Sequence, residues 1–246
     1  MSFKRKAFSL VELLVVIGII ALLIAILLPV LHRAKETAAR TVCASNMHQM
    51  GIVFLQYHAD ANGFLPCAGH DPACGGIGNN RAWVAWYSPD AFDGSLLQKY
   101  LSKGTTYKLL QCPSDDLKQR GRRTFDIDYP YSYTVNDTVF MHWSHWDMNP
   151  PKMTIFAASS KILAIEESSA VIDRGSFEVA ELRQFRGELL SNRHGSNRGN
   201  VLFADGHVDF VDRGVFASAA AEPGLTVQMG TNEYAQVPYI LNPHAR

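Results

Sequence analysis

The feature that most constrains this chain is an apolar stretch near its N-terminus. From residue 13 to residue 31 no side chain carries a charge, and nineteen residues of α-helix measure about 28 Å, close to the hydrocarbon thickness of a bilayer. The stretch is therefore predicted to span a membrane. Glu12 lies at its start, and a carboxylate at membrane depth costs about 2.5–3.5 kcal/mol even on lenient insertion scales. We therefore expect Glu12 to have a compensating partner.

The residues on either side of this stretch indicate its orientation. Lys4, Arg5 and Lys6 precede it, and basic residues favour the cytoplasmic side. The residues that follow, 29–34, do not resemble the small-x-small site at which secretory signals are cut. The chain is thus predicted to be a single-pass protein of the cytoplasmic membrane, with its N-terminus in the cytoplasm.

The helix is predicted to continue beyond the membrane. Residues 32–57 contain no proline and one glycine, Gly51, and apolar side chains recur there at spacings of three and four, namely Cys43, Met47, Met50, Phe54 and Tyr57. This stripe indicates packing against the protein's own globular part. We expect one helix over 8–58, about 75 Å long, followed by a turn at 61–63.

The N-terminal residues resemble a known export and assembly signal. A short basic leader, the run AFSLVE at 7–12 and a long apolar helix resemble the start of type IV pilins and type II secretion pseudopilins. The resemblance implies that a prepilin peptidase cuts between Ala7 and Phe8 and methylates the new amine, although the usual residue before the cut is glycine. It also implies that Glu12 pairs with the Phe8 amine of a neighbouring subunit during filament assembly. The alternative is an interfacial glutamate with no such partner.

Further motifs resemble one group of prepilin-type proteins that is common in planctomycetes and Lentisphaerae. Four of these motifs lie at 43–51, 62–66, 110–115 and 131–136. A fifth is an H-x9-DG pattern formed by His194, Asp205 and Gly206. Ten residues separate His194 from Asp205 here, one more than the pattern has. The resemblance extends over most of residues 4–212.

The Asp205-Gly206 pair lies between two apolar runs and predicts a β-hairpin over 200–211 with a two-residue type I′ turn. In that register Phe203 is opposite Val208. One face would then collect four apolar side chains, those of Val201, Phe203, Val208 and Phe210.

The predicted fold class is α+β and pilin-like, with a long N-terminal helix packed on a small antiparallel sheet with long loops. Two more strands are expected at 153–158 and 162–166. The predicted regions are a leader (1–7), a transmembrane and assembly helix (8–31), its amphipathic continuation (32–58) and an extracytoplasmic globular head (59–246).

All four cysteines follow the apolar stretch: Cys43, Cys67, Cys74 and Cys112. If this part is exported they can form disulfides, with three possible connectivities. We favour Cys67–Cys74 and Cys43–Cys112. Zinc is the competing ligand, but no C-x-x-C spacing supports it.

Metal and catalytic chemistry find little support in the sequence. His194, Asp205 and His207 could bind a metal, but the turn explains Asp205, and His194 is expected to hydrogen-bond a loop backbone. We therefore predict no metal site. Asp115-Asp116 and the Asp126/Asp128 pair could hold calcium, but neither resembles an EF-hand loop.

No cofactor is expected, and calcium has no positive support. Nucleophile motifs such as G-x-S-x-G are absent from the sequence, so catalysis is not predicted. The formal net charge is +0 and no nucleic-acid motif is present, so nucleic acid is not an expected partner.

The predicted function is that of a structural subunit of a type IV pilus-like or type II secretion pseudopilus-like filament. Its expected partners are a prepilin peptidase, other pilin or pseudopilin subunits in a homo- or hetero-filament, and the cytoplasmic membrane. The head would be periplasmic or extracellular. The alternative is a membrane-anchored binding domain that uses the signal only for export and binds glycans through exposed tryptophans, the candidates being Trp83, Trp86, Trp143 and Trp146.

Overall fold

The computed structural model describes residues 9–66, 83, 96–101, 107–116, 131–136, 162–168, 176–177, 190–195, 197–213, 226–228 and 234–236. The chain divides into two compact units, Met1–Ala38 and Ala39–Arg246. Several predicted features lie outside the described residues: Ala7, Phe8, Cys67, Cys74, Trp86, Asp126, Asp128, Trp143, Trp146 and the strand at 153–158.

Helix α1 (Leu10–Asp60) confirms the predicted long helix, with Pro29 inside it. At its end the chain turns through two left-handed residues, Asn62 (φ 55°) and Gly63 (φ 92°). The Gly63 amide donates to the His58 carbonyl at 2.9 Å, which satisfies one of the acceptors that a helix end leaves open. The predicted turn at 61–63 is thus confirmed.

The predicted apolar stripe of α1 is confirmed from residue 43 onward. The buried residues of α1 all lie there: Cys43, Met47, Met50, Gly51, Val53 and Phe54. Tyr57 is half-buried. Of these residues, Cys43, Met47, Met50, Val53 and Phe54 belong to one hydrophobic core that includes Trp83, Tyr133 and Leu202.

Five strands form the main sheet in the order β3-β1-β2-β4-β5. They are β1 (Tyr133–Asn136), β2 (Ile162–Glu166), β3 (Ser176–Phe177), β4 (Arg198–Phe203) and β5 (Val208–Asp212). Neighbours pair antiparallel except β1 and β3, which are parallel. Strand β2 coincides with the predicted one, and the long helix with a mainly antiparallel sheet confirms the α+β, pilin-like class.

The remaining elements are short. Helix α2 (Leu96–Tyr100) and a 3-10 helix (Tyr107–Leu110) lie between α1 and β1, and β6 (Thr226–Gln228) pairs antiparallel with β7 (Tyr234–Gln236). Helix α2 contributes Leu97 to the core, and the 3-10 helix contributes Leu110.

The hairpin forms, but its predicted register is wrong by one residue. Leu202 is opposite Val208 and Val201 is opposite Asp209, so the expected face of Val201, Phe203, Val208 and Phe210 does not exist. The Phe203 amide donates to the His207 carbonyl, and the Gly206 amide donates to the Phe203 carbonyl. The loop therefore has three residues, 204–206, and its last residue, Gly206, has φ 88°. A left-handed glycine closing a three-residue loop is the second common hairpin geometry.

The apolar pattern could not choose between these registers because β4 is buried on both faces from Gly199 to Phe203. Hydrophobic alternation fixes a register only where one face is exposed. Close packing on α1 accompanies the observed loop: a Cβ placed on Gly51 would lie 2.8 Å from Leu202 Cδ1 and 3.5 Å from Gly206 Cα.

Candidate functional site

The first stretch of α1 carries the predicted processing and assembly residues. Its large apolar side chains, from Leu10 to Leu31, are all exposed. By length and composition the helix is able to cross a membrane. The two residues at the predicted cut, Ala7 and Phe8, precede the described part of the chain.

Glu12 has a local partner that the sequence reasoning missed. The Ser9 amide donates to Glu12 Oε2 at 2.9 Å, and the Val11 amide donates to Ser9 Oγ at 3.3 Å. These bonds form a capping box, in which an N-cap serine and a glutamate three residues later each satisfy a backbone amide. The S-x-x-E signal was present in the sequence, and Glu12 therefore stabilises the start of its own helix.

The second unit contains a buried cluster of four groups that can bind metal. Cys43 comes from α1, Cys112 follows the 3-10 helix, Glu166 ends β2, and His194 lies in the loop before β4. One ligand atom from each lies within 4.8 Å of the ligand atoms of the others, and all four residues are buried.

His194 is the centre of this cluster. Its Nε2 lies 2.8 Å from Glu166 Oε1 and 3.5 Å from Cys112 Sγ. The prediction that His194 bonds a loop backbone through its side chain is therefore replaced by contacts to a carboxylate and a thiol. Its backbone is left-handed, with φ 66°.

The other two members of the predicted histidine cluster pair with each other. Asp205 and His207 are exposed at the tip of the hairpin, where the His207 ring bonds the Asp205 carboxylate and stacks on Phe203. The His207 amide also donates to Asp205 Oδ1 at 3.1 Å. Asp205 thus serves the turn, as predicted, and neither residue belongs to the buried cluster.

Neighbouring residues hold the cluster in place. Glu166 Oε2 accepts from the Asn200 amide at 3.1 Å and from its Nδ2 at 3.2 Å. The Cys112 amide donates to Ser132 Oγ at 2.8 Å, and that hydroxyl donates to Asp115 Oδ2 at 2.6 Å. The Glu166 side chain and the Cys112 backbone are thereby held in place.

Asp115, a calcium candidate in the sequence, has structural partners. Besides Ser132, its carboxylate forms an ion pair with Arg193. Arg193 Nε also donates to Ser191 Oγ at 2.7 Å, in the segment that carries His194. Asp115 therefore connects the Cys112 and His194 segments.

The electrostatics of the cluster favour a charged pair between His194 and Glu166. Burial alone lowers the pKa of His194, but its bonds to Cys112 and Glu166 outweigh burial and raise that pKa to about 9. Burial likewise favours a neutral Glu166, yet the bond to His194 and the charges of His194 and Arg193 lower its pKa overall. The pKa of the Cys112 thiol is raised, first by its hydrogen bond with Cys43 and then by burial.

The two sulfurs of this cluster can either form a disulfide or bind a metal ion. Cys43 and Cys112 are adjacent, and both are free thiols, so the predicted Cys43–Cys112 disulfide stays a prediction. Two sulfurs, an imidazole and a carboxylate are also a donor set that zinc accepts. The sequence could not show this set, because its members come from four separate elements with no characteristic spacing.

Comparison with known proteins agrees with the N-terminal features. The prokaryotic N-terminal methylation motif matches residues 2–28, a range that includes Ala7, Phe8 and Glu12. The chain therefore carries a prepilin-type signal, which supports a precursor of the type IV pilin or pseudopilin kind. Such a signal implies processing by a prepilin peptidase and membrane anchoring through the apolar helix. No curated protein and no solved structure matches the chain significantly.

Proposed function

We propose that this chain is a structural subunit of a type IV pilus-like or type II secretion pseudopilus-like filament. The observation that carries the proposal is that the methylation motif at 2–28 continues into a helical stretch whose large apolar side chains, from Leu10 to Leu31, are all exposed. An apolar surface of this extent needs a cover. Lipid would cover it in the anchored precursor, and the helices of neighbouring subunits would cover it in a filament.

The proposed processing gives Glu12 a second role. Cutting before Phe8 creates a positive amine, and Glu12 lies four residues further along the chain. In an apolar filament core, attraction between this carboxylate and the Phe8 amine of a neighbour would set the axial register of otherwise similar helices. Lys4, Arg5 and Lys6 support a cytoplasmic N-terminus, with the head periplasmic or extracellular.

Two variants separate the charge of Glu12 from its capping role. Glu12→Gln keeps a side chain that can complete a capping box but removes the charge, whereas Ser9→Ala removes the N-cap hydroxyl and keeps the charge. The chain would be expressed in its native host, and the sheared extracellular fraction and the membrane fraction would be quantified by immunoblot.

Under the proposal, Glu12→Gln greatly reduces the chain in filaments, because breaking a buried ion pair costs about 3–5 kcal/mol. Ser9→Ala should assemble close to wild type, since a lost N-cap costs only about 1 kcal/mol. Equal assembly of wild type and Glu12→Gln would contradict the proposal.

A wild-type chain found only as an anchored monomer would favour the other candidate function, a membrane-anchored binding domain. One part of that alternative needs correction. Trp83 is fully buried and meets Phe54 edge-on, with ring centroids 6.1 Å apart, so it is a core residue and does not offer a glycan-binding surface.

A further inference from the structure

We propose a buried Zn²⁺ site in the second unit, formed by Cys43, Cys112, Glu166 and His194. The inference is independent of the filament proposal, because it concerns only residues of the unit Ala39–Arg246. It departs from the expectation from sequence that the chain binds no metal.

The geometry of the four side chains approaches that of a tetrahedral site. Zinc takes sulfur at about 2.3 Å and nitrogen or oxygen at about 2.0–2.2 Å, which places neighbouring donor atoms about 3.3–3.8 Å apart. Cys112 Sγ and His194 Nε2 are already 3.5 Å apart, and all four donor atoms lie within 4.8 Å of one another. Small side-chain movements would therefore complete the coordination.

Burial makes two of these four residues, Glu166 and His194, unusual for an apolar core. The side chains of Glu166 and His194 have no exposed surface, and Cys43 and Cys112 are 0% and 3% exposed. Carboxylates are almost never fully buried unless they are paired, and their desolvation is costly. A divalent cation bound by all four groups would offset that cost in addition to the Asn200 hydrogen bonds.

The surrounding hydrogen bonds leave Glu166 Oε1 and His194 Nε2 facing each other, and zinc would replace the bond between these two atoms. Asn200 occupies Glu166 Oε2 with two donors, while Oε1 points to the His194 nitrogen at 2.8 Å. Such supporting bonds orient metal ligands and are a regular part of protein metal sites. The donor set includes two sulfurs and a nitrogen, which selects zinc over calcium or magnesium.

Zn²⁺ binding would release three protons, one from each of the two thiols and one from the imidazolium. The carboxylate would bind in its ionised form and release none. With four protein ligands the coordination is closed, so the site would be structural, joining α1 to the segments that carry Cys112, Glu166 and His194. A Cys43–Cys112 disulfide would use both sulfurs and is incompatible with this site.

The test uses the full chain in detergent, reduced with a phosphine and freed of metal by a chelator. Titration with Zn²⁺ should give one bound ion per chain. Co²⁺ in place of Zn²⁺ should give thiolate-to-cobalt charge-transfer absorption and the bands of tetrahedral cobalt. This readout on the unaltered chain does not depend on whether variants fold.

Variants then assign the ligands. Cys112→Ser and His194→Gln should each weaken Zn²⁺ binding at least tenfold, whereas the matched controls Cys67→Ser and His207→Gln should bind as the wild type does. The proposal is overturned if the reduced chain takes up no zinc, or if Cys43→Ser and Cys112→Ser retain full binding. It is equally overturned if protein from native membranes carries a Cys43–Cys112 disulfide and no metal.

Discussion

Two stretches of the same helix have opposite relations to the rest of the chain. In α1, large apolar residues from Leu10 to Leu31 are exposed, whereas the buried residues all lie between Cys43 and Phe54. The first stretch is apolar on every face and the second only along a stripe. Since helices in proteins gain most of their stability from packing, the second stretch is stabilised by its own unit, and the first needs lipid or other subunits.

The size of this difference can be estimated from burial. Burying one large apolar side chain contributes about 1.5–3 kcal/mol relative to leaving it in water. Residues such as Met47, Met50 and Phe54 obtain this within the chain, where each is 0% exposed. Leu22, at 62% exposure, obtains it only from a surrounding membrane or filament. Substitutions at matched positions should therefore have very different effects.

The largest contrast is expected between Phe54→Ala and Leu22→Ala. Removing the Phe54 ring leaves a cavity beside Trp83 and should reduce the free energy of unfolding of the second unit by about 3–5 kcal/mol. Leu22→Ala should leave that free energy unchanged. Urea unfolding of the full chain in detergent, followed by tryptophan fluorescence, measures both. Equal destabilisation by the two variants would show that the stretches are not energetically distinct.

A second, smaller contrast uses the two glycines of α1. A Cβ at Gly51 would lie 2.8 Å from Leu202 Cδ1, whereas one at Gly18 would meet nothing within 4 Å. Because Leu202 is fully buried, Gly51→Val should overpack the core and cost about 1–3 kcal/mol. Gly18→Val should not change the unfolding of the second unit in the same urea titration. A neutral Gly51→Val would mean that the hairpin does not pack on α1 at this point.

The smallest contrast concerns the two ends of α1. Gly63→Ala places a Cβ on a residue with φ 92° and should lower the stability of the second unit by about 1–2 kcal/mol. Ser9→Ala should cost a similar amount locally, about 1 kcal/mol, with no effect on that unit. Hydrogen exchange of the first helical amides would show this fraying, and slow exchange there in Ser9→Ala would contradict the capping box.

The sequence predicted the elements whose formation depends mainly on neighbouring residues. The apolar stripe from Cys43 to Phe54 followed from its spacing, and strand β2 lies at the predicted 162–166. The hairpin register did not, because both faces of β4 are buried and the left-handed Gly206 closes a three-residue loop. A turn signal such as Asp205-Gly206 fits either loop length.

The functional features also divide into those that are contiguous in sequence and those that tertiary structure brings together. The processing signal is contiguous in sequence, so Phe8 and Glu12 could be identified from it. The buried cluster joins Cys43 to Glu166 and His194, residues more than 100 positions away in the chain, and only tertiary structure brings them together. Glu12 is the opposite case: its capping box with Ser9 is local and has a contiguous S-x-x-E signal, but the sequence prediction assigned Glu12 only to assembly.

The most direct test of the difference between the two stretches is the N-terminus of the mature protein. Intact-mass and N-terminal analysis of the chain from native membranes should find that it begins at N-methylated Phe8 and keeps the apolar stretch. That result would mean that the exposed helix is retained for membrane anchoring and assembly. A chain that still begins at Met1, or one cut after residue 31, would contradict the prepilin account.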